Sequence, residues 1–471
     1  MRQAPEERGP VSTSDPQPAE VEPGIWDHER RRLTLGLVFT VTLVAFEALA
    51  ISTVMPVVAD DLGGLSLYGW VFSGFFLGNL LGIVFAGHAA DREGTAPPFL
   101  AGLLLFAAGL LAAGLAPSMG VLVVARVLQG IGAGVIPAIS YITVGRSYPP
   151  LLRPRAFAIT ATAWLIPGLI GPVASSAIAD LWGWRAVFLA LLPFVLLAGV
   201  ITLPALSHSP GSGLQDSASP LTDRRREGVL LTLGSAMVLG SISGLALPLA
   251  VVLALVGVPL AAWSFLGLVP PGTMRLAPGI PAAIAVRGIL TFSFFGTDAY
   301  VSLSFQDVRH QPTWVAGLSL TICTICWSVA VWVQERWILR AGPRRVVGVG
   351  FALLTISIAL MFTVLGSLPI PLAVCVWGIG GFAIGLCYAS LSVTVLGLAE
   401  PGREGAVTAS LQVSDVLGIA LGVGVAGAFV ALGDARSWST GTALEMAFAC
   451  TMAVALVGIV AARRLPTTLP L

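Results

Sequence analysis

LGLVFTVTLVAFEALAISTVMPVV, residues 35–58, is apolar over a length that can cross a bilayer and carries one acid, Glu47, near its middle. A spanning helix needs about 20 mostly apolar residues. An ionised carboxylate at that depth is costly unless it faces a cavity or a partner, so Glu47 marks a transport or proton-relay position. The rest of the chain reads as a housing for that acid.

Composition places the whole chain in the same class. Of its 471 residues 56% are hydrophobic and 10% charged, against about 25% charged in an ordinary soluble domain. The fold class is therefore an all-α polytopic membrane protein. Its 54 Gly and 32 Pro suit membrane helices, where small residues allow close packing and proline marks local breaks. A net charge of +1 without a large basic block gives no reason to expect nucleic acid as a partner. The four His, at 28, 88, 208 and 310, are scattered, and no metal site is expected. Cys323 and Cys326 have C-x-x-C spacing but no second pair, so they read as small core residues. The chain has no Lys and no G-x-x-x-x-G-K-S/T loop; nothing supports direct drive by ATP, and no cofactor is implied.

Apolar length sets the crossings. Residues 1–32 read as a disordered cytoplasmic tail, rich in Glu, Pro, Ser and Gln. Six spans follow near 33–56, 66–89, 98–115, 119–142, 154–180 and 184–204, forming an N-terminal bundle over 33–206. A linker region, 207–279, holds a polar stretch and two extra spans near 228–246 and 248–268, which a re-entrant hairpin would also explain. The C-terminal bundle, 280–465, contains spans near 280–305, 313–336, 345–363, 368–396, 403–431 and 441–462, and residues 466–471 form a second tail. Arg30 to Arg32, Arg92, Arg146, Arg153, Arg155, Arg224 to Arg226, Arg275, Arg336, Arg340, Arg344, Arg345, Arg403, Arg463 and Arg464 all fall on the side of the N-terminus. The other side has chiefly Arg185, Arg309 and Arg436. By the positive-inside rule both termini are cytoplasmic, which requires an even number of crossings. Fourteen fits.

The polar residues within these spans carry the chemistry. GHAADREGTAPP, 87–98, contains Gly87, Asp91, Arg92 and Gly94 in G-x-x-x-D-R-x-G spacing, a pattern for tight packing, a sharp turn and a charge-assisted latch. ERWILRAGPRR, 335–345, looks like its counterpart in the second half and supplies Arg340, Arg344 and Arg345. Arg126 in the fourth span cannot shed its charge, so it needs a counter-charge such as Glu47 or substrate, or a path to water. Gln129 lies one turn further on. In WLIPGLIGPVASS, 164–176, Gly168, Gly171 and Pro172 permit a kink and close helix contact.

In the second half, Asp298 and Tyr300 lie above Phe292, Phe294 and Phe295, a combination that suits an amphiphilic or cationic ligand. Arg287 reads as a gate or headgroup contact. Gln412 and Asp415, three apart, share a helix face, and Asp415 is the second candidate membrane acid. Glu445 reads as structural or peripheral.

Read together, these residues resemble the major facilitator superfamily, and within it the fourteen-helix drug/proton antiporter branch, over residues 33–465. Asp91 with its Gly and Arg neighbours resembles the signature loop between helices 2 and 3. Glu47 to Pro56 is similar to the branch's first-helix motif, with Glu where the family usually shows Asp. Arg126, Gln129 and Gly130 match R-x-x-Q-G of helix 4, and Gly168, Gly171 and Pro172 the antiporter signature of helix 5. The loop departs from the pattern at Thr95, Ala96 and Pro97, and its second copy has Leu339 at the acidic position.

The resemblance implies two six-helix bundles, two linker helices, and proton-coupled export of hydrophobic or cationic small molecules, that is, multidrug efflux and antibiotic resistance. Glu47, Arg126 and Asp415 would couple protons. Asp298, Tyr300, Phe294, Phe295, Gln129 and Gln412 would meet substrate. The implied setting is a bacterial-type inner membrane, the partners protons, substrate and membrane lipids, the working unit a monomer. A narrow exporter of one metabolite or lipid is the alternative on the same fold.

Overall fold

A computed structural model describes residues 26–148, 152, 156, 159, 163, 165–207, 224–243, 246–400 and 403–468. The expected disordered tail up to residue 25, most of 149–164, the polar linker at 208–223 and the last three residues lie outside them. All regular structure among the described residues is helical. In hydrocarbon each backbone polar group must be satisfied within its own segment, and an apolar run of this length achieves that as a helix.

The first half contains α1 (His28–Leu62), α2 (Tyr68–Glu93), α3 (Ala96–Gly114), α4 (Met119–Ser147) and α5 (Leu165–Trp182). A broken sixth crossing follows, α6 (Trp184–Leu189) and α7 (Leu192–Ser207). Next come the linker helices α8 (Arg224–Ser241) and α9 (Leu247–Leu268). The second half contains α10 (Ile280–Asp298), α11 (Thr313–Leu365), α12 (Ile370–Leu398), α13 (Glu404–Ala435) and α14 (Thr440–Ala461). Among the described residues eleven helices are long and apolar enough to cross a membrane.

The boundaries differ from the sequence expectation where local chemistry intervenes. α1 runs past Pro56 to Leu62. The spans expected at 313–336 and 345–363 join in α11, bent at Gly342, whose φ of 74° belongs to the left-handed region that glycine enters freely. The span expected at 280–305 leaves α-geometry at Asp298 and ends in a π-helical segment, Ser304–Val308. Such segments interrupt helices mostly at functional positions.

Within each half the helices touch through small residues. A Cβ added at Gly130 of α4 would overlap the Phe75 carbonyl of α2, and one at Gly422 of α13 would overlap the Phe292 carbonyl of α10. In lipid, where the hydrophobic effect between helices is absent, this close backbone approach supplies the packing.

The halves meet near the face opposite the arginine-rich one. Gly69 of α2 packs on Gly427 of α13, and the rings of Tyr68 and Tyr300 lie 5.4 Å apart. The Tyr68 hydroxyl donates to Ala299 O at 3.3 Å, Ser73 to Ala420 O at 3.1 Å, and Gln306 Nε2 to Thr53 O at 2.9 Å. On the same face Asp61 accepts from Trp184 Nε1 and Arg185 Nη1, at 3.0 and 2.8 Å, which ties α1 to α6. Towards the arginine-rich side, Tyr141 of α4 is 37% exposed yet within electrostatic reach of Arg287 and Asp415 in the other half.

The linker helices form a hairpin laid over one seam between the halves. Gly228 of α8 abuts Val84 of α2, Trp70 Nε1 donates to Ser243 Oγ at 2.9 Å, and Leu239 meets Gly424 of α13. From α13, Ser410 Oγ donates to Leu268 O of α9 at 2.9 Å.

Candidate functional site

Among the described residues two arginine–carboxylate pairs occupy the interior, one in each half. In the first, α4 presents Arg126 seven residues beyond Met119, on the side of the opposite face, and α1 presents Glu47. Both are buried, at 1% and 0% exposure. Arg126 Nη1 donates to Glu47 Oε1 and to Gln129 Oε1, the latter at 2.7 Å, while Nε reaches Val71 O at 3.3 Å. The guanidinium carbon stands 4.2 Å from the centre of the Phe75 ring, so the cation also gains an aromatic face. Glu47 Oε2 and Gln129 Nε2 find no hydrogen-bond partner among the described residues. The carboxylate is thus held by one oxygen, and the other keeps an open lone pair in a buried place. Proton binding at Oε2 would remove the charge that holds Arg126.

Helix geometry explains this assembly. Arg126 and Gln129 are three apart and share a face of α4, and the close α2/α4 contact at Gly130 brings Phe75 and Val71 under the guanidinium. The sequence expectation for Arg126 allowed a path to water in place of a counter-charge. The structure places it near the start of α4 and wholly inside the bundle.

The second pair joins α10 to α13. Arg287 Nε donates to Asp415 Oδ1 at 2.7 Å, and Nη1 donates to Tyr388 O at 2.7 Å and Ser392 Oγ at 3.3 Å. The Tyr388 hydroxyl donates to Asp415 Oδ2 at 2.8 Å, so both carboxylate oxygens are engaged. Arg287 lies over the Tyr388 ring, its guanidinium carbon 3.0 Å from the centre. The sequence reading named both charges without pairing them and did not find Tyr388. A signal was present: five Tyr in the whole chain. Tyr68, Tyr148, Tyr300 and Tyr388 each hydrogen-bond to another helix.

The expected substrate residues of α10 are engaged inside the protein. Asp298 accepts from Trp377 Nε1 at 2.7 Å. Phe294 stacks on Trp377 with ring centres 5.1 Å apart and meets Phe295 and Trp327 edge-on. Tyr300 is buried at the seam and donates to Val423 O at 2.9 Å. In this conformation these side chains pack the C-terminal half and close one face. Gln412 is half-buried on α13, one turn from Asp415.

The expected gating residues divide. Gly94 has φ 81°, as a sharp turn requires, but a Cβ at Gly87 would meet nothing within 4 Å, so tight packing does not account for that glycine. Arg92 is exposed, and the Asp91 side chain lies outside the described residues. Arg146 Nη1 donates to Ala90 O at 3.0 Å, joining α4 to the end of α2 beside the turn. A Cβ on Gly168 would overlap Thr324 of α11, and one on Gly317 would come 3.1 Å from Pro172 O, so α5 meets the other half there. At Gly171 the nearest contacts, Phe46 and Leu49, are at ordinary distance. Arg340, Arg344 and Arg345 are exposed around the Gly342 bend.

The sequence profile of the Major Facilitator Superfamily matches residues 37–339. The chain is 26% identical over 456 residues to a probable multidrug-efflux transporter of Mycobacterium tuberculosis, covering 90% of this chain and 94% of that one. It is 27% identical over 427 residues to the drug efflux pump JefA of the same organism, covering 85% and 81%. Among solved structures, a bacterial homologue of the human lysosomal transporter Spinster, inward-facing and unoccupied, superposes with a TM-score of 0.67 at 15% identity, covering 93% of this chain and 98% of that one. At that identity the likeness is one of fold.

Proposed function

This chain belongs to the Major Facilitator Superfamily and is a multi-pass secondary transporter, not an enzyme; from that premise we propose that it is a proton-coupled antiporter exporting a narrow class of amphipathic metabolite or lipid. The observation that carries the coupling is the buried Glu47–Arg126–Gln129 cluster, in which no described residue donates to Glu47 Oε2. Deprotonated, Glu47 holds Arg126. Protonated, it releases the guanidinium, which keeps its bonds to Gln129 and Val71 and becomes free to meet substrate. A bound proton shifts a conformational equilibrium only by its different affinity for the two states, and the change in this pairing supplies such a difference.

The narrow substrate reading is supported by the engagement of Phe294, Asp298 and Tyr300 within the protein, in place of a broad aromatic cavity. The Arg287–Asp415–Tyr388 group, within electrostatic reach of Tyr141 from the other half, suits a ligand with one defined polar head. Multidrug efflux is the second reading, favoured by the names of the two mycobacterial relatives.

On this reading the chain crosses an inner membrane fourteen times, with α11 counted twice and α5 and α8 included. Its termini and arginine-rich face are cytoplasmic, the conformation is open to the cytoplasm, and a monomer suffices. Proteoliposomes loaded with a pH-sensitive dye test the proposal. Lysophospholipids, fatty acids and several unrelated cationic dyes are added in turn. Proton movement with a single amphipathic class supports the narrow reading, movement with several cations supports multidrug efflux, and movement with none rejects proton coupling.

A further inference from the structure

The first limb of α11 reaches the arginine-rich face in VAVWVQERWILR, residues 329–340. Val329, Trp332, Val333, Arg336, Trp337 and Arg340 line an open recess of ≈ 480 Å³. Trp332, Arg336 and Arg340 follow one another at intervals of four, so they form a single stripe along the helix. The stripe has two ends of different character. Trp332 is 72% exposed and Val329 50%, an apolar wall continuous with the lipid-facing side of a crossing helix. Arg336 and Arg340 stand at the other end, and among the described residues neither has a hydrogen bond or an acidic partner.

The surroundings add charge of the same sign. Arg344 and Arg345 follow the Gly342 bend, and the backbone N–H of Arg344 donates to Pro466 O at 3.2 Å, two residues beyond the exposed Arg463 and Arg464. Leu339 stands where the matching turn of the first half has an acid, so Glu335 is the sole carboxylate of the stretch 329–345.

We propose that this recess binds an anionic phospholipid of the leaflet on the arginine-rich side, with its phosphate between Arg336 and Arg340 and an acyl chain along Trp332, Val329 and Val333. A guanidinium offers planar paired donors that match phosphate oxygens. An apolar wall meeting unpaired cations at membrane depth suits an amphiphile with an anionic head, and basic pockets on the cytoplasmic side of membrane proteins take such headgroups. The proposal is independent of the substrate and of proton coupling.

The test titrates the purified full-length protein in neutral detergent with dioleoyl phosphatidylglycerol, dioleoyl phosphatidylcholine or glycerol 3-phosphate, and native mass spectrometry reads the bound fraction. Phosphatidylglycerol is expected to be retained in preference to phosphatidylcholine. The double variant Arg336→Gln/Arg340→Gln should weaken that retention about tenfold or more. Arg336→Lys/Arg340→Lys should keep most of it, and Arg275→Gln, an exposed basic position outside the recess, should leave it unchanged. A phosphatidylglycerol with a brominated acyl chain should quench less fluorescence in Trp332→Phe than in the parent. Equal retention of the two lipids overturns the proposal, as does retention unaffected by the Gln variant. Displacement of the lipid by equimolar glycerol 3-phosphate would make this a free phosphate site and overturn the assignment to lipid.

Discussion

The two arginine–carboxylate pairs use similar chemistry to opposite ends. Around Arg287 each Asp415 oxygen has a partner, one the guanidinium and one the Tyr388 hydroxyl, and the group lies within electrostatic reach of Tyr141 in the other half. Around Arg126 the pair is sealed from solvent, and among the described residues Glu47 Oε2 and Gln129 Nε2 have no partner. A filled pair resists change, because breaking it strands charges. On the proposed reading, the buried pair with an open oxygen is the one that takes the proton. The comparison teaches that the switch should be sought where satisfaction is incomplete, and the anchoring or polar recognition where it is complete.

The largest expected effect separates the two carboxylates directly. Glu47→Gln should reduce substrate-linked proton movement in proteoliposomes to the level of protein-free vesicles while substrate exchange persists. Asp415→Asn should keep proton movement and raise the substrate concentration needed for half-maximal transport. Proton movement intact in Glu47→Gln, or lost equally in both variants, would erase the division of labour.

Stability gives the next test. Arg126→Ala leaves a buried carboxylate without its cation and should destabilise the protein by about 3–5 kcal/mol, as measured by unfolding in detergent. Adding Glu47→Gln to it should restore most of that loss. At the second pair, Tyr388→Phe removes one hydrogen bond to Asp415 and should cost about 1–3 kcal/mol, with no rescue by Glu47→Gln.

The closed face offers a third, conformational test. Gly69→Val would force α2 from α13 at Gly427. Labelling of engineered cysteines flanking this seam should rise on the face that is sealed in the parent, with the Arg287–Asp415 pair unaffected. Unchanged labelling would remove the glycine contact from the gate. The mildest effect belongs to Gly87, where open space surrounds the helix: Gly87→Ala should preserve transport and stabilise α2 by about 0.5–1 kcal/mol.

How far the sequence could be read follows from the range of the forces involved. Apolar length located the helices, since satisfying the backbone in lipid is a local demand. Glu47, Arg126 and Gln129 were legible because each is an expensive exception within its own span. The pairing of Arg287 with Asp415 was not, for the two stand 128 residues apart and one sequence has no register between helices. The docking of Trp377 on Asp298, which turns an expected ligand residue into a packed one, is hidden for the same reason. Gly87 shows the converse: its spacing suggested close packing, and the space around it depends on where the neighbouring helices end.

The α8–α9 hairpin grips both halves along the α2/α13 seam through Gly228, Ser243, Leu239 and Leu268. Two bodies bound along one edge turn about that edge as pages turn about a spine. On the proposed reading the α5/α11 side, where Gly168 meets Thr324, would sweep the longer arc, and a molecule arriving sideways from the bilayer would find one doorway where an unstrapped pair of bundles would offer two.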